Sequence, residues 1–210
     1  MTKNSTPQNT VSPQTAAQRF AATRSAMGAD AFDAMTAQEP DDLPAHLHKD
    51  PGHAALRRRM PWIADLARME QYAAESLHMP AQAPLDPAGL EQAARDPMQL
   101  NVYVQPHLRL LRSGWDIPAI WQAVASGEAP PTDAAESFTA IYNDNGHAAV
   151  WSLNAPAYAV LENLVMQPSF ALAAAAALRI EPSFALDRFL AMLVQQGLLA
   201  QEWHPPKLHS

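Results

Sequence analysis

The chain of 210 residues contains no cysteine. This absence excludes disulfide bonds, thiolate metal sites and a cysteine nucleophile, and it is compatible with a cytoplasmic location. Only seven glycines are present, which leaves little room for a glycine-rich loop that cradles phosphate. The motifs G-x-S-x-G and H-E-x-x-H and the Walker loop are also missing. We therefore expect a protein that is not an enzyme by itself, with no catalytic residues and no cofactor.

Basic residues are scarce. The chain has 14 Lys and Arg against 21 Asp and Glu, which gives a net charge of −7. Such an acidic balance argues against a general affinity for nucleic acid or for anionic membranes. No apolar run approaches the roughly 20 residues that span a bilayer, and the first fifteen residues lack the apolar core of a signal peptide. We expect a soluble, cytoplasmic protein without a membrane partner.

The range Phe138–Trp203 carries the clearest structural pattern. Two β-favouring runs flank an Asn-Gly pair at 145–146, which tolerates the positive φ angles of a tight turn and so predicts a β-hairpin. Three helices are predicted next, the first capped by Asn154, the third capped by Ser183 and ended by Gly197. A short strand follows them. Hairpin, three helices and a return strand are typical of a winged helix.

The charge of this C-terminal module argues against DNA as its ligand. Its basic residues are Arg179 and Arg188 only, which leaves the module at a net charge of −3. Because Lys and Arg supply most of the non-specific affinity for DNA, this surface offers little. We interpret the module as a winged helix that holds protein or peptide. A winged-helix transcriptional regulator that binds DNA is the alternative.

The whole chain is predicted to be α+β and mostly helical. We expect a disordered tail at 1–14, a helical domain at 15–126 with an extended segment near 100–113, a linker at 127–136, and the winged-helix module at 137–204. Within the helical domain, helices are predicted at 16–27, 29–37, 61–78, 86–94 and 118–125. The strongest is 61–78, whose apolar residues share one face, and Asp86-Pro87 caps the helix at 86–94.

One cluster of potential metal ligands stands out, in the sequence AHLHKDPGH. Imidazole and carboxylate groups of His46, His48, Asp50 and His53 suit zinc or copper. Prolines at 40, 44 and 51 interrupt the segment, so it is predicted to be a loop without a helical i, i+4 pair to fix ligand geometry. We therefore predict a solvated loop and no metal site. A hydrolase or metal-handling protein built on these histidines is a further alternative.

Five sequence blocks, taken in order, resemble one known family. They are PWIADLARMEQ, APLDPAGLEQ, HLRLLRSGWDIPAIWQA, AYAVLENL and LDRFLAMLVQQGLLAQ, and they cover roughly residues 60–200. The family comprises partner proteins of multinuclear non-haem iron oxidative enzymes, which build modified peptides such as bufferins and methanobactins. The N-terminal part of proteins in this family is often described as a DNA-binding domain. The N-terminal stretch AAQRFAATRSAMGADAFDAM lacks the R-x-x-x-Y-R-N pattern of the family's longer helical domain.

The resemblance implies an accessory subunit rather than an enzyme. Such a subunit forms a heterodimer with the iron enzyme, and the iron belongs to the partner. In some members a winged-helix element captures the leader of a Cys-containing precursor peptide. This implication rests on analogy, although it agrees with the charge of the module.

Two sets of residues are predicted to bind these partners. A precursor peptide is expected to add a strand to an edge of the hairpin and to place side chains beside the third helix, where Arg188 favours an acidic leader. The predicted peptide-binding residues are Thr139, Ile141, Ala149, Trp151, Phe184, Arg188 and Met192. The predicted interface with the iron enzyme comprises Arg57, Arg58, Arg59, Trp62, Arg109, Arg112 and Trp115.

Simpler roles are open for several of the interface residues. The run of three arginines at 57–59 can stay solvated, and Arg109 and Arg112 can cover a sheet edge. The tryptophans at 62, 115, 121 and 151 lie within apolar patterns and are expected in the core.

Overall fold

The computed structural model describes residues 15–37, 42–85 and 101–200. A 3-10 turn at Pro51–His53 separates the fourth helix from the fifth. Helices together with small antiparallel sheets confirm a mixed α and β fold. The elements, numbered in chain order, are α1 Ala16–Arg19, α2 Ala21–Met27, α3 Ala29–Thr36, α4 Leu43–Lys49, α5 Ala54–Arg59, α6 Ile63–His78, β1 Tyr103–Val104, β2 Arg109–Ser113, α7 Ile117–Ser126, β3 Ser137–Asp144, β4 His147–Leu153, α8 Ala155–Met166, α9 Phe170–Ile180, α10 Leu186–Gln195 and β5 Leu199–Ala200.

Three predictions fall outside the described residues. They are the disordered tail at 1–14, the helix at 86–94 and the part of the C-terminal module after residue 200. Within the described ranges, no helix has both the length and the apolar character needed to cross a membrane.

The larger sheet is antiparallel and has the strand order β2-β3-β4. Its middle strand is β3, where Thr139 lies opposite Leu111 of β2 on one side and Ser152 of β4 on the other. Strand β2 precedes the predicted linker at 127–136 and β3 follows it. This sheet therefore joins the two predicted parts of the chain. A second small sheet pairs β1 with β5.

Two hydrophobic cores meet at β3. Ile141 belongs to the core around α6, whereas Ala140 belongs to the core formed with α8, α9 and α10. Both side chains are fully buried. Because successive side chains of a strand point to opposite faces, helices cover both faces of the sheet at this point.

The predicted hairpin is confirmed. Asn145 and Gly146 have φ angles of 51° and 89°, and two consecutive positive φ angles are typical of a type I′ turn. The Gly146 N–H donates a hydrogen bond of 2.7 Å to Oδ1 of Asn143. The short turn fixes the pairing of Asp144 with His147, and hence the register of the whole hairpin.

The helices that follow the hairpin agree with the sequence except at one start. Asn154 caps α8 by accepting a hydrogen bond of 3.0 Å from the Ala157 N–H, and Gly197, with a φ of 66°, follows the end of α10. The cap at Asn154 and the helix end at Gly197 were both predicted from the sequence. The predicted cap at Ser183 is wrong, because α10 begins at Leu186. Phe184 therefore precedes the helix rather than lying within it.

The first predicted helix, 16–27, is divided in two by the buried residue Phe20. The cause is the buried carboxylate of Glu70. Its oxygens accept hydrogen bonds of 2.7 and 3.0 Å from the N–H groups of Ala22 and Thr23, and one of 2.6 Å from the Thr23 hydroxyl. A carboxylate at these positions satisfies N–H groups in the first turn of α2 and complements the helix dipole.

The segment that carries the histidines is helical, so the loop prediction is wrong. Asp42 caps α4 by accepting a hydrogen bond of 3.4 Å from the Ala45 N–H, and Pro44 lies in the first turn. Proline is tolerated there because the N–H that it lacks has no partner within the helix. His46 and Asp50 are consequently one helical turn apart.

Candidate peptide-binding groove

A groove of about 360 Å³ runs between the edge strand β4 and helix α10. One side is formed by the end of β4, the other by α10 and the residue just before it, and the start of α8 closes one end. The lining residues are Trp151, Ser152, Leu153, Asn154, Ala157, Phe184, Arg188, Phe189 and Met192.

Aromatic rings form the floor of the groove. The ring of Phe189 lies 5.9 Å from that of Trp151 and 5.6 Å from that of Phe184, measured between centroids. Phe189 itself is buried and points into the core of the C-terminal half. Trp151 and Phe184 are half-buried, so parts of their rings remain accessible to a ligand.

Arg188 and Met192 share one face of α10, because residues four apart lie one above the other on a helix. Met192 is half-buried and Arg188 is exposed at the rim. Arg188 is the only cation among the groove-lining residues. Among the described residues, no acidic side chain forms an ion pair with it.

The backbone edge of β4 is open in the described structure. In a hairpin closed by a two-residue turn, the pair beside the turn exchanges hydrogen bonds, and alternate pairs beyond it do the same. His147, Ala149, Trp151 and Leu153 therefore direct their backbone groups to β3. Ala148, Val150 and Ser152 direct theirs away from the sheet. The observed hydrogen bond from the Asn143 N–H to His107 Nδ1, on the β2 side, agrees with this alternation.

The structure brings four of the predicted peptide-binding residues into the groove, namely Trp151, Phe184, Arg188 and Met192. Ala149 lies on β4 and outside the groove lining. Thr139 and Ile141 need correction, because both are fully buried in the middle strand, which is paired on both sides. The prediction treated the hairpin as a two-stranded ribbon with two open edges, whereas β2 occupies the edge of β3.

The sequence prediction missed five residues that line the groove: Ser152, Leu153, Asn154, Ala157 and Phe189. Phe189 has a signal in the sequence, since it belongs to the apolar stripe of α10 together with Leu190 and Leu193. The other four enter the groove only through the packing of β4 and α8 against α10, which no local pattern specifies.

Four of the predicted interface residues lie around a second cleft, of about 730 Å³. Arg58 and Arg59 are exposed there, Trp115 is half-buried, and the linker residues 127–132 form another wall. Trp62 needs correction as an interface residue, because it is only 5% exposed and packs in the core around α6.

The other three predicted interface arginines bind groups of their own chain. Arg57 donates hydrogen bonds of 2.9 and 2.8 Å to the backbone carbonyls of Leu47 and Asp50. Arg109 forms an ion pair of 3.0 Å with Glu75. Arg112 pairs with Glu136 at 2.8 Å and lies over the ring of Phe138, 5.5 Å from its centroid.

Three of the four tryptophans that were predicted in the core lie there. Trp62 and Trp115 pack with the core around α6, and Trp151 packs with the core of the C-terminal half, as predicted. Trp121 is 39% exposed, so its assignment to the core is wrong.

Two buried titratable side chains have shifted pKa values and structural partners. Burial raises the pKa of the Glu70 carboxyl, and its three hydrogen-bond donors oppose this rise only in part. Burial lowers the pKa of the His107 imidazole, and the charge of Arg109 adds to that effect. His107 holds the end of β3 through its hydrogen bond from Asn143.

No protein-family model matches this chain, and no curated protein matches its sequence. The groove beside β4 is the feature whose geometry agrees best with a predicted binding role, because four predicted residues converge on it. The groove combines an open backbone edge, an aromatic floor and one cation among its lining residues.

Proposed function

We propose that this protein is a non-catalytic accessory subunit that binds an iron-dependent peptide-modifying oxidase and helps to recognise its precursor peptide. The groove between β4 and α10 carries this proposal, since it combines an open strand edge with aromatic and apolar walls. In this view the hairpin and helices α8–α10 form a winged-helix module that binds the leader of the precursor. The iron-containing partner supplies the chemistry.

The precursor leader docks as an additional strand on β4. An extended chain about 4.8 Å from β4 pairs with the outward backbone groups of Ala148, Val150 and Ser152. Strand β4 has seven residues, so a leader segment of about six residues covers it. Main-chain pairing of this kind supplies affinity regardless of the side chains of the peptide.

Side chains of the leader supply the specificity. Every second residue of the added strand faces α10, because side chains alternate along a strand. One such residue packs an apolar side chain against Trp151, Phe184 and Met192. An acidic residue beside Arg188 forms a charge-assisted hydrogen bond with its guanidinium. We therefore propose a leader that carries an apolar residue and an acidic residue on the same face.

The iron enzyme binds at the cleft around Arg58, Arg59 and Trp115. Arginine and tryptophan are enriched at protein interfaces, and both arginines are exposed. This cleft and the groove beside β4 share no residue. One chain can consequently hold the peptide and the enzyme at the same time, which is what presentation of a substrate requires.

Co-expression with a multinuclear non-haem iron oxidase from the same organism tests the partner assignment. Size-exclusion chromatography with light scattering should show a one-to-one complex at micromolar concentration. The double variant Arg58→Glu, Arg59→Glu should weaken this complex, whereas Arg179→Glu on the exposed side of α9 should leave it intact. Separate elution of the two wild-type proteins contradicts the proposed partner.

A further inference from the structure

Three side chains with metal-ligating atoms meet where α4 passes through the 3-10 turn into α5. Oδ2 of Asp50 lies 3.4 Å from Nε2 of His46 and 3.8 Å from Nε2 of His53. One ligating atom from each of the three residues lies within 4.8 Å of the others. The two imidazole rings meet edge to face, with centroids 4.9 Å apart.

We propose that His46, Asp50 and His53 bind a divalent transition-metal ion of the zinc class. Ligands about 2.0–2.1 Å from a tetrahedral ion lie roughly 3.3–3.4 Å from one another. The separation of His46 and Asp50 already matches this value, and that of His53 and Asp50 needs to shorten by a few tenths of an ångström. Two imidazoles and one carboxylate suit Zn²⁺ and its neighbours rather than Mg²⁺ or Ca²⁺.

The carboxylate of Asp50 is oriented by the backbone of its own turn. Its Oδ1 accepts a hydrogen bond of 2.7 Å from the Gly52 N–H, which leaves Oδ2 directed at both histidines. Hydrogen bonds of this kind, made by atoms that do not touch the metal, fix the orientation of metal ligands and raise affinity.

Arg57 fixes the backbone that carries two of the ligands. Its Nη1 donates to the carbonyls of Leu47 and Asp50, so α5 is attached to the C-terminal end of α4. The ligands therefore come from backbone whose relative position is set before any ion binds. Preorganisation reduces the entropy that metal binding has to overcome.

The environment of His53 gives an independent reason to expect a ligand. Its Nε2 atom is buried and has no hydrogen-bond partner among the described residues. Buried polar atoms in native proteins nearly always have a partner, and an unsatisfied one costs free energy. A metal ion at the Oδ2 side of Asp50 satisfies this nitrogen.

Three protein ligands leave at least one coordination position open. The cluster borders a cavity of about 480 Å³, whose other walls are Met27, Ala31, Ala34, Met35, Leu56 and Arg59. Structural zinc sites usually have four protein ligands, whereas sites with three keep a position for water or another ligand. The geometry points to an open site at which a small molecule or a partner side chain completes the coordination.

Zinc titration of the untagged protein, after treatment with a chelator, tests the site. Calorimetry or competition with a metal-sensitive dye should show one Zn²⁺ per chain, and Mg²⁺ and Ca²⁺ should not compete. His46→Gln, His53→Gln and Asp50→Asn should each lower the Zn²⁺ affinity by at least about tenfold. Asp50→Asn is the sharpest variant, because an amide oxygen can still accept from Gly52 while the anionic ligand is lost.

His48→Gln is the matched control, because His48 is exposed on the same helix and outside the cluster. It should bind Zn²⁺ with the wild-type affinity and stoichiometry. Circular dichroism separates loss of ligands from loss of fold, and Co²⁺ in the wild-type protein should give the intense visible absorption of a four- or five-coordinate site. Absence of Zn²⁺ binding by the wild type, or equal affinities in the His46, His53 and His48 variants, overturns the proposal.

Discussion

The ring of Trp151 on the edge strand lies 5.9 Å from the ring of Phe189 on α10, which places the two walls of the groove in direct contact at its floor. Phe189 is buried, and its position is therefore set by the core rather than by the groove. The groove is thus preformed, since its depth depends on packing that stabilises the C-terminal half as a whole. Preformed sites bind extended peptides without a large ordering cost on the protein side.

Replacing Arg188, the only cation among the groove-lining residues, with an acidic residue should change which peptides bind. Arg188→Glu should weaken an acidic leader by about threefold to tenfold, because an exposed ion pair contributes up to about 1 kcal/mol and reversal adds repulsion. A peptide whose acidic residue is replaced by the corresponding amide should lose less affinity when Arg188 is changed to Glu. Fluorescence anisotropy at two salt concentrations measures both effects.

Arg179→Glu makes the same charge change on the exposed side of α9, outside the groove. It should leave both affinities near their wild-type values. Equal weakening by the two variants, or equal weakening of acidic and neutral peptides, removes Arg188 from the proposed binding surface.

Duplex DNA should bind poorly at physiological salt. The described part of the C-terminal module, residues 137–200, contains two basic residues, Arg179 and Arg188, and Asp187 adjoins the latter on α10. A surface with so few cations releases few counterions from DNA, which limits affinity. Anisotropy with mixed-sequence and upstream genomic fragments at about 150 mM salt should show no saturable binding. Submicromolar, sequence-dependent binding favours the regulator instead.

The buried carboxylate of Glu70 should make stability depend on pH. Burial raises its pKa in the folded state above the ordinary value near 4.5. The folded state therefore holds this proton at pH values where the unfolded chain has released it. The stabilisation is fully present below the unfolded pKa and is lost as pH rises through the folded pKa.

Glu70→Gln cannot titrate, so it isolates this effect. The variant should be less stable than wild type by about 1–3 kcal/mol, because its NH2 group cannot accept a hydrogen bond at a position where a carboxyl oxygen does. This deficit should be larger near pH 4.5 than near pH 7.5. Urea unfolding at several pH values measures it, with Glu162→Gln, an exposed carboxylate on α8, as control. A deficit that grows with pH contradicts the raised pKa.

Turns and helix ends whose geometry depends on one or two neighbouring residues were predicted correctly from the sequence. The Asn-Gly turn, the Asn154 cap and Gly197 were all found from the sequence, since positive φ angles and capping side chains act within a few residues. The proline in the first turn of α4 misled the prediction. The cap at Asp42 was the signal that could have identified a helix there.

Long-range contacts determined what the sequence could not predict. The break at Phe20 depends on Glu70, which lies 47 and 48 residues from its backbone partners. Strand β2 pairs with β3 from before the linker and so occupies its second edge, and Ile141 packs in the core around α6. The groove was predicted in part because Trp151, Arg188 and Met192 follow strand and helix periodicity, while its shape depends on how β4 packs against α10.

Docking of the leader on β4 is tested most directly by peptide binding to a variant that lacks one outward N–H of this strand. Ser152→Pro deletes a donor on the open edge, where proline does not disturb pairing with β3. A labelled peptide of about six residues, with an apolar and an acidic residue on the same face, should bind this variant at least about tenfold more weakly than wild type, roughly 1.4 kcal/mol. Ser152→Ala should retain wild-type affinity. Anisotropy titrations supply the affinities, and circular dichroism checks that both variants fold. An unchanged affinity for a folded Ser152→Pro variant contradicts docking of the peptide on β4.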